Sequence, residues 1–83
     1  MADAARVRDD LAQVIRQMVD RPDLVQVAAV PMRRATVLEV RAAPEDQGKI
    51  IGRRGRTARA LRALLDNRGD GEGAQYGLEI LDE

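Results

Sequence analysis

The chain has no cysteine, histidine, phenylalanine, tryptophan or serine, and it has one tyrosine. Zinc sites built from Cys and His are thereby excluded. So are Ser and Cys nucleophiles paired with a His base. The side-chain hydroxyls are Thr36, Thr57 and Tyr76. Carboxylates are plentiful, but no Asp/Glu pair stands out from ordinary surface charge as an acid–base centre. The expectation is a non-enzyme with no catalytic residue, metal or cofactor. The sequence has no run of about 18 apolar residues, so no membrane span is expected. The first residues carry Asp3, Arg6, Arg8, Asp9 and Asp10, which is not the pattern of a signal peptide. A cytoplasmic address is expected, and the lack of cysteine fits a reducing compartment. Without Phe or Trp there is little to stack a nucleobase on, so any base would rest on aliphatic surface.

What is present fits one small folded domain. Eighty-three residues with 45% apolar content suit a single core rather than a disordered chain. At this size only about 60% of the unfolded surface can be buried. The formal net charge is zero, yet the charges are segregated. Gln47 to Leu65 holds Lys49, Arg53, Arg54, Arg56, Arg59 and Arg62 and no acid. Asp66 to Glu83 holds Asp66, Asp70, Glu72, Glu79, Asp82 and Glu83 against Arg68 alone. A local field of this kind matters more to a charged partner than the sum does.

The periodicities give an element order. Residues 4–20 read as an amphipathic helix with Val7, Leu11, Val14, Ile15 and Met18 on one face, Asp3 as its N-cap and Pro22 as its stop. Leu24 to Val30 and Thr36 to Ala42 read as strands, with Pro31-Met32-Arg33-Arg34 as the turn between them. Arg33 and Arg34 are read as exposed loop charges, with RNA contact as the alternative. Pro44 suits a helix start, and Glu45 and Asp46 complement its dipole. That helix runs to about Ile51. Arg56 to Asp66 reads as another, with Ala58, Leu61, Leu64 and Leu65 on one side. Asn67 to Gln75, with Gly69, Gly71 and Gly73, reads as a flexible acidic loop. Tyr76 to Ile80 alternates as a last strand, Tyr76 packing at the sheet edge. The order is α-β-β-α-α-β, an α+β domain with one three-stranded sheet and the helices on one face.

Between the last two helices lies Gly48-Lys49-Ile50-Ile51-Gly52-Arg53-Arg54-Gly55-Arg56. Gly52 and Gly55 can take positive φ and hold no Cβ against a ligand. A tight loop that opens a helix presents its positive end to an anion. Arg53 and Arg54 at the tip make phosphate the expected anion. A Walker A loop needs four residues between its glycines and then Lys-Ser/Thr, and a dinucleotide fingerprint needs Gly-x-Gly-x-x-Gly after a strand. Neither pattern is met. An inter-helix turn alone would explain the glycines, but not the arginines between them or the basic helix after them. Ile50 is read as core; Ile51 reads as core or as the wall of a groove.

This stretch resembles the Ile-Ile-Gly-x-x-Gly motif of KH domains. The Ala43-Pro44-Glu45-Asp46 lead-in and Arg56-Thr57-Ala58-Arg59-Ala60-Leu61-Arg62 extend the likeness to small bacterial single-KH proteins of the KhpA (YlqC-like) type. The resemblance implies a type II KH domain over residues 1–83, with the N-terminal helix at 4–20 and the β-α-α-β core at about 36–82. It implies single-stranded RNA as the ligand, held by a loop that clamps about four nucleotides. The residues so implied are Lys49, Ile50, Ile51, Gly52, Arg53, Arg54, Gly55, Arg56 and Arg59. Ala58 stands where many KH domains have a larger aliphatic residue, which makes the groove wider or shallower. The resemblance also implies a homodimer, or a heterodimer with a larger KH-containing RNA-binding protein, and a post-transcriptional or RNA-chaperone role linked to cell shape. The alternative is a protein-docking module that uses the KH fold.

Overall fold

Asp3 starts the first helix, α1 (Ala4–Arg16), its carboxylate accepting from the Arg6 N–H at 3.1 Å. That fills one of the N–H groups every helix start leaves unpaired. The computed structural model describes residues 3–81. Asp82 and Glu83, the end of the acidic segment and of the expected core, lie outside those residues. Val7, Leu11 and Ile15 form the buried stripe of α1, with Ala12 beside them. Val14, expected in that stripe, is instead 43% exposed. Burial is centred on Leu11, Ala12 and Ile15, which leaves Val14 at the rim of the apolar face.

The helix ends at Arg16, short of the expected residue 20. The cause is remote in sequence. The N–H groups of Asp20 and Arg21 donate to the Asp46 carboxylate at 3.2 and 2.9 Å, so the chain unwinds to reach it. A 3-10 turn at Pro22–Leu24 follows. The first strand, β1 (Gln26–Pro31), therefore starts later than expected. Leu24 is exposed, and Val25 enters the core.

β1 pairs antiparallel with β2 (Thr36–Arg41), and β2 pairs parallel with β3 (Tyr76–Ile80), in the order β1-β2-β3. Registers Ala29↔Leu38↔Leu78 and Val27↔Val40↔Ile80 line up the side chains of one face. With a side-chain period of two, that whole face is apolar and the helices cover it. Leu38 and Val40 meet Val7, Leu11 and Ile15 of α1, Ile50, and Leu61 and Leu65 in one core.

The parallel pairing of β2 and β3 needs a crossover. It is built from a 3-10 turn at Pro44–Asp46, α2 (Gln47–Ile51) and α3 (Arg56–Glu72). α3 runs through most of the stretch expected as a loop, and only Gly73 to Gln75 remains between it and β3. Each glycine in a helix interior costs about 1 kcal/mol against alanine, but tertiary contacts hold this one. Gly69 packs so closely that a Cβ there would sit 2.5 Å from the Ala74 carbonyl oxygen. The N–H groups of Gly73 and Ala74 both donate to the Gly69 carbonyl and cap the helix. Arg68 bonds Glu72 one turn on at 2.7 Å, and the Tyr76 hydroxyl donates to Glu72 at 2.8 Å. Burial raises the Tyr76 pKa, and the neighbouring Glu72 adds to that. Tyr76 is buried on the edge strand, as expected of it. Leu64, expected on the inner side of α3, is 60% exposed. With Val14 it lines an apolar groove of about 560 Å³ between α1 and α3.

Candidate nucleic-acid interface

The turn between α2 and α3 is tight and takes unusual dihedrals. Gly52 has φ 77° and ψ 169°, a region essentially restricted to glycine. A Cβ on Gly52 would overlap the Thr57 side chain and lie 2.8 Å from the Thr57 nitrogen. Arg54, at φ 57°, and Gly55, at φ 74°, are both left-handed. The Gly55 N–H donates to the Gly52 carbonyl at 3.0 Å, and the Arg59 guanidinium donates to the Arg54 carbonyl at 2.8 Å. Backbone bonds and one arginine therefore hold the loop shut, and no side chain caps the start of α3. That start carries the positive pole of a seventeen-residue helix.

The residues expected at the site divide into three groups. Arg53, Arg54, Arg56 and Arg59 are exposed around the turn. Among the described residues none of these four has an acidic partner. Ile51 is 41% exposed on α2, while Ile50 has no exposed surface and is core. The alternatives left open for Ile51 are thus narrowed to the surface. Lys49 forms the third group. Its ammonium pairs with the Asp20 carboxylate and lies 3.7 Å from that of Asp46. The bond to Asp20 raises the Lys49 pKa, and Asp46 adds to it. Ala58 is buried at the start of α3.

Asp46 is the residue whose role the sequence reading missed. From the sequence it is only a complement to a helix dipole. It is fully buried and holds the α1–β1 connection to the base of α2. Burial pushes its pKa up, but the Arg21 and Asp20 N–H groups and the Lys49 ammonium outweigh that and hold it below the ordinary 3.8. A carboxylate accepting two backbone N–H bonds is stabilised in its charged form. The one available signal was its place directly before α2, which does not reveal a partner 25 residues away.

A glycine-x-x-glycine turn between two helices, within α-β-β-α-α-β and a three-stranded mixed sheet, defines a KH domain of the type II order. Comparison with known proteins agrees. The family model described as KhpA/KhpB, KH domain, matches residues 8–80, and the chain belongs to that family. The RNA-binding protein KhpA of Streptomyces coelicolor is 47% identical over 76 residues, covering 92% of this chain and 95% of the relative. The protein of the same name from Treponema pallidum is 44% identical over 72 residues, covering 87% and 90%. That from Clostridium acetobutylicum is 38% identical over 71 residues, covering 86% and 95%. No solved structure matches the chain.

Proposed function

We propose that this protein binds single-stranded RNA through the Gly52–Gly55 turn. The observation that carries the reading is the turn itself: two positive-φ glycines enclose two exposed arginines without acidic partners, at the positive end of α3. Gly52 and Gly55 let a sugar-phosphate backbone approach. Arg53 and Arg54 supply charge at the loop, and Arg56 and Arg59 extend it along α3. Ile51 offers aliphatic surface to a base. Lys49 belongs to the same rim once it leaves Asp20. With no aromatic platform, affinity is modest and mostly electrostatic. The relatives named RNA-binding protein KhpA support RNA as the class of ligand. The family resemblance adds to that reading a post-transcriptional or RNA-chaperone role in the cytoplasm, with a bearing on cell shape. Among the described residues no helix is long and apolar enough to cross a membrane.

The test is Arg53→Asp with Arg54→Asp, titrated with single-stranded RNA across a salt series. Two lost phosphate contacts should lower the magnitude of the salt slope by roughly 1.4, at about 0.7 per contact on a single strand. Most binding should go while thermal unfolding stays put, because both side chains are exposed. A folded variant that binds as tightly as the parent removes the loop from the mechanism. Protein docking, to a second copy or to a larger KH-containing protein, is the second reading. Its observation is the apolar groove with exposed Val14 and Leu64. Docking through that face should be nearly indifferent to salt, whereas RNA binding should not.

A further inference from the structure

The tip of the β1–β2 hairpin has a composition that its own fold does not explain. Met32 and Ala35 close it, the Met32 N–H donating to the Ala35 carbonyl at 2.7 Å. Two-residue hairpin loops favour Asn, Asp and Gly, because the turns that match strand twist need positive φ. Here the strands stop at Pro31 and resume at Thr36, so the loop is Met32 to Ala35, and neither Arg33 nor Arg34 at its tip has positive φ. The loop is therefore not a turn of that kind, and its geometry does not dictate which residues stand at the tip. Ion pairing is no reason for them either, since among the described residues neither arginine has a hydrogen-bond or acidic partner. Nor do they cap α3, whose Gly69 carbonyl is already taken by the Gly73 and Ala74 N–H groups. Both are exposed, as is Met32, at 60%.

Beside them lies a recess of about 250 Å³, formed by Pro31, Met32, Arg34 and Ala35 of the hairpin and by Ala74 and Gln75 across from it. Its lining is partly aliphatic and includes Arg34. That combination suits a nucleotide: a base against the aliphatic wall and a phosphate on the arginines. The topology puts this tip far from the glycine turn. β2 begins beside the tip and ends toward α2, and α3 leaves the glycine turn and ends beside Ala74. Seventeen residues of α3 at about 1.5 Å each span roughly 25 Å. The whole molecule is 35 Å in its longest dimension.

We propose that the Arg33–Arg34 tip and its recess form a second RNA contact, at the opposite end of the domain from the glycine turn, so that one domain engages two separated stretches of RNA. The inference rests on the RNA reading of the glycine turn. Its test uses the full chain and two unstructured oligonucleotides, one of about four nucleotides, the length a single KH loop clamps, and one several times longer. The variant is Arg33→Gln with Arg34→Gln, which keeps size and polarity on an exposed turn. For the long oligonucleotide, loss of two phosphate contacts should reduce the salt slope by roughly 1.4 and the affinity by about 25-fold at ~0.1 M salt relative to a 1 M reference. The short one, filling the glycine turn, should bind the variant as it binds the parent. If the long oligonucleotide keeps its affinity and slope, the second contact is overturned while the glycine-turn reading stands. Equal losses for both lengths also overturn it, because the tip then belongs to the first site. Polyglutamate binding abolished by the variant, with RNA unaffected, reassigns the tip to an acidic protein and overturns it as well. A parent that binds neither oligonucleotide sinks the RNA reading itself, and this inference with it.

Discussion

Gly52→Ala is the sharpest perturbation of the turn, and its cost can be worked from two independent sources. The first is the backbone. At φ 77° and ψ 169° a residue other than glycine costs about 1–3 kcal/mol. The second is steric. The new Cβ would overlap the Thr57 side chain and sit 2.8 Å from its nitrogen, so the first turn of α3 must shift. Overpacking of that kind costs typically about 1–3 kcal/mol. The sum is roughly 2–6 kcal/mol. A chain of 83 residues, at roughly 0.05–0.15 kcal/mol per residue, has about 4–12 kcal/mol to lose. At about 4–8 °C per kcal/mol for a domain this size, the midpoint should fall by at least ~8 °C. Gly55→Ala is the internal control. Its φ of 74° and ψ of 15° are left-handed, and its Cβ would meet only the Arg59 guanidinium, at 3.4 Å and without overlap. It should cost about 1–2 kcal/mol, and Gly55→Asn less, since asparagine tolerates that region. Urea and thermal unfolding of the three variants give the order. Equal midpoints for Gly52→Ala and Gly55→Ala would show that the Thr57 contact does not constrain the turn.

Three further outcomes follow from the packing. Leu11→Ala, at a buried site on α1, should cost about 2–5 kcal/mol, and a chain lacking residues 1–20 should lose cooperative unfolding; a truncated chain that melts near the parent midpoint contradicts this. Tyr76→Phe removes the hydrogen bond to Glu72 and should cost about 1 kcal/mol, read from urea midpoints at constant slope. Asp46 makes stability depend on acid. Its folded pKa lies below the ordinary 3.8, so its contribution is complete above that value and is lost as pH falls through the folded pKa. Melting temperature should therefore drop on acidification below about pH 4, and Asp46→Asn should flatten that part of the profile. An unchanged profile would show that other carboxylates dominate acid unfolding.

The short-range features of this protein were legible in its sequence because their causes are short-range. Asp3 caps α1 because an acceptor three residues before Arg6 can reach its N–H. β2 and β3 alternate because one face of a sheet is buried. Gly52 and Gly55 stand where two positive-φ positions enclose a two-residue tip. Those patterns sufficed for the element order, the single sheet, and the turn that marks the family. The tertiary structure decided what depended on partners distant along the chain. Residue 46 became a buried anchor because the N–H groups of residues 20 and 21 arrive beside it. Lys49, counted with the free basic charges, was drawn to Asp20 by the same approach. α3 continued through Gly69 because Ala74 and Tyr76 pack where a side chain would otherwise stand. Val14 and Leu64 were left at the surface because a helical face is wider than the core it meets, and only the position of the neighbouring helix determines which edge stays in water.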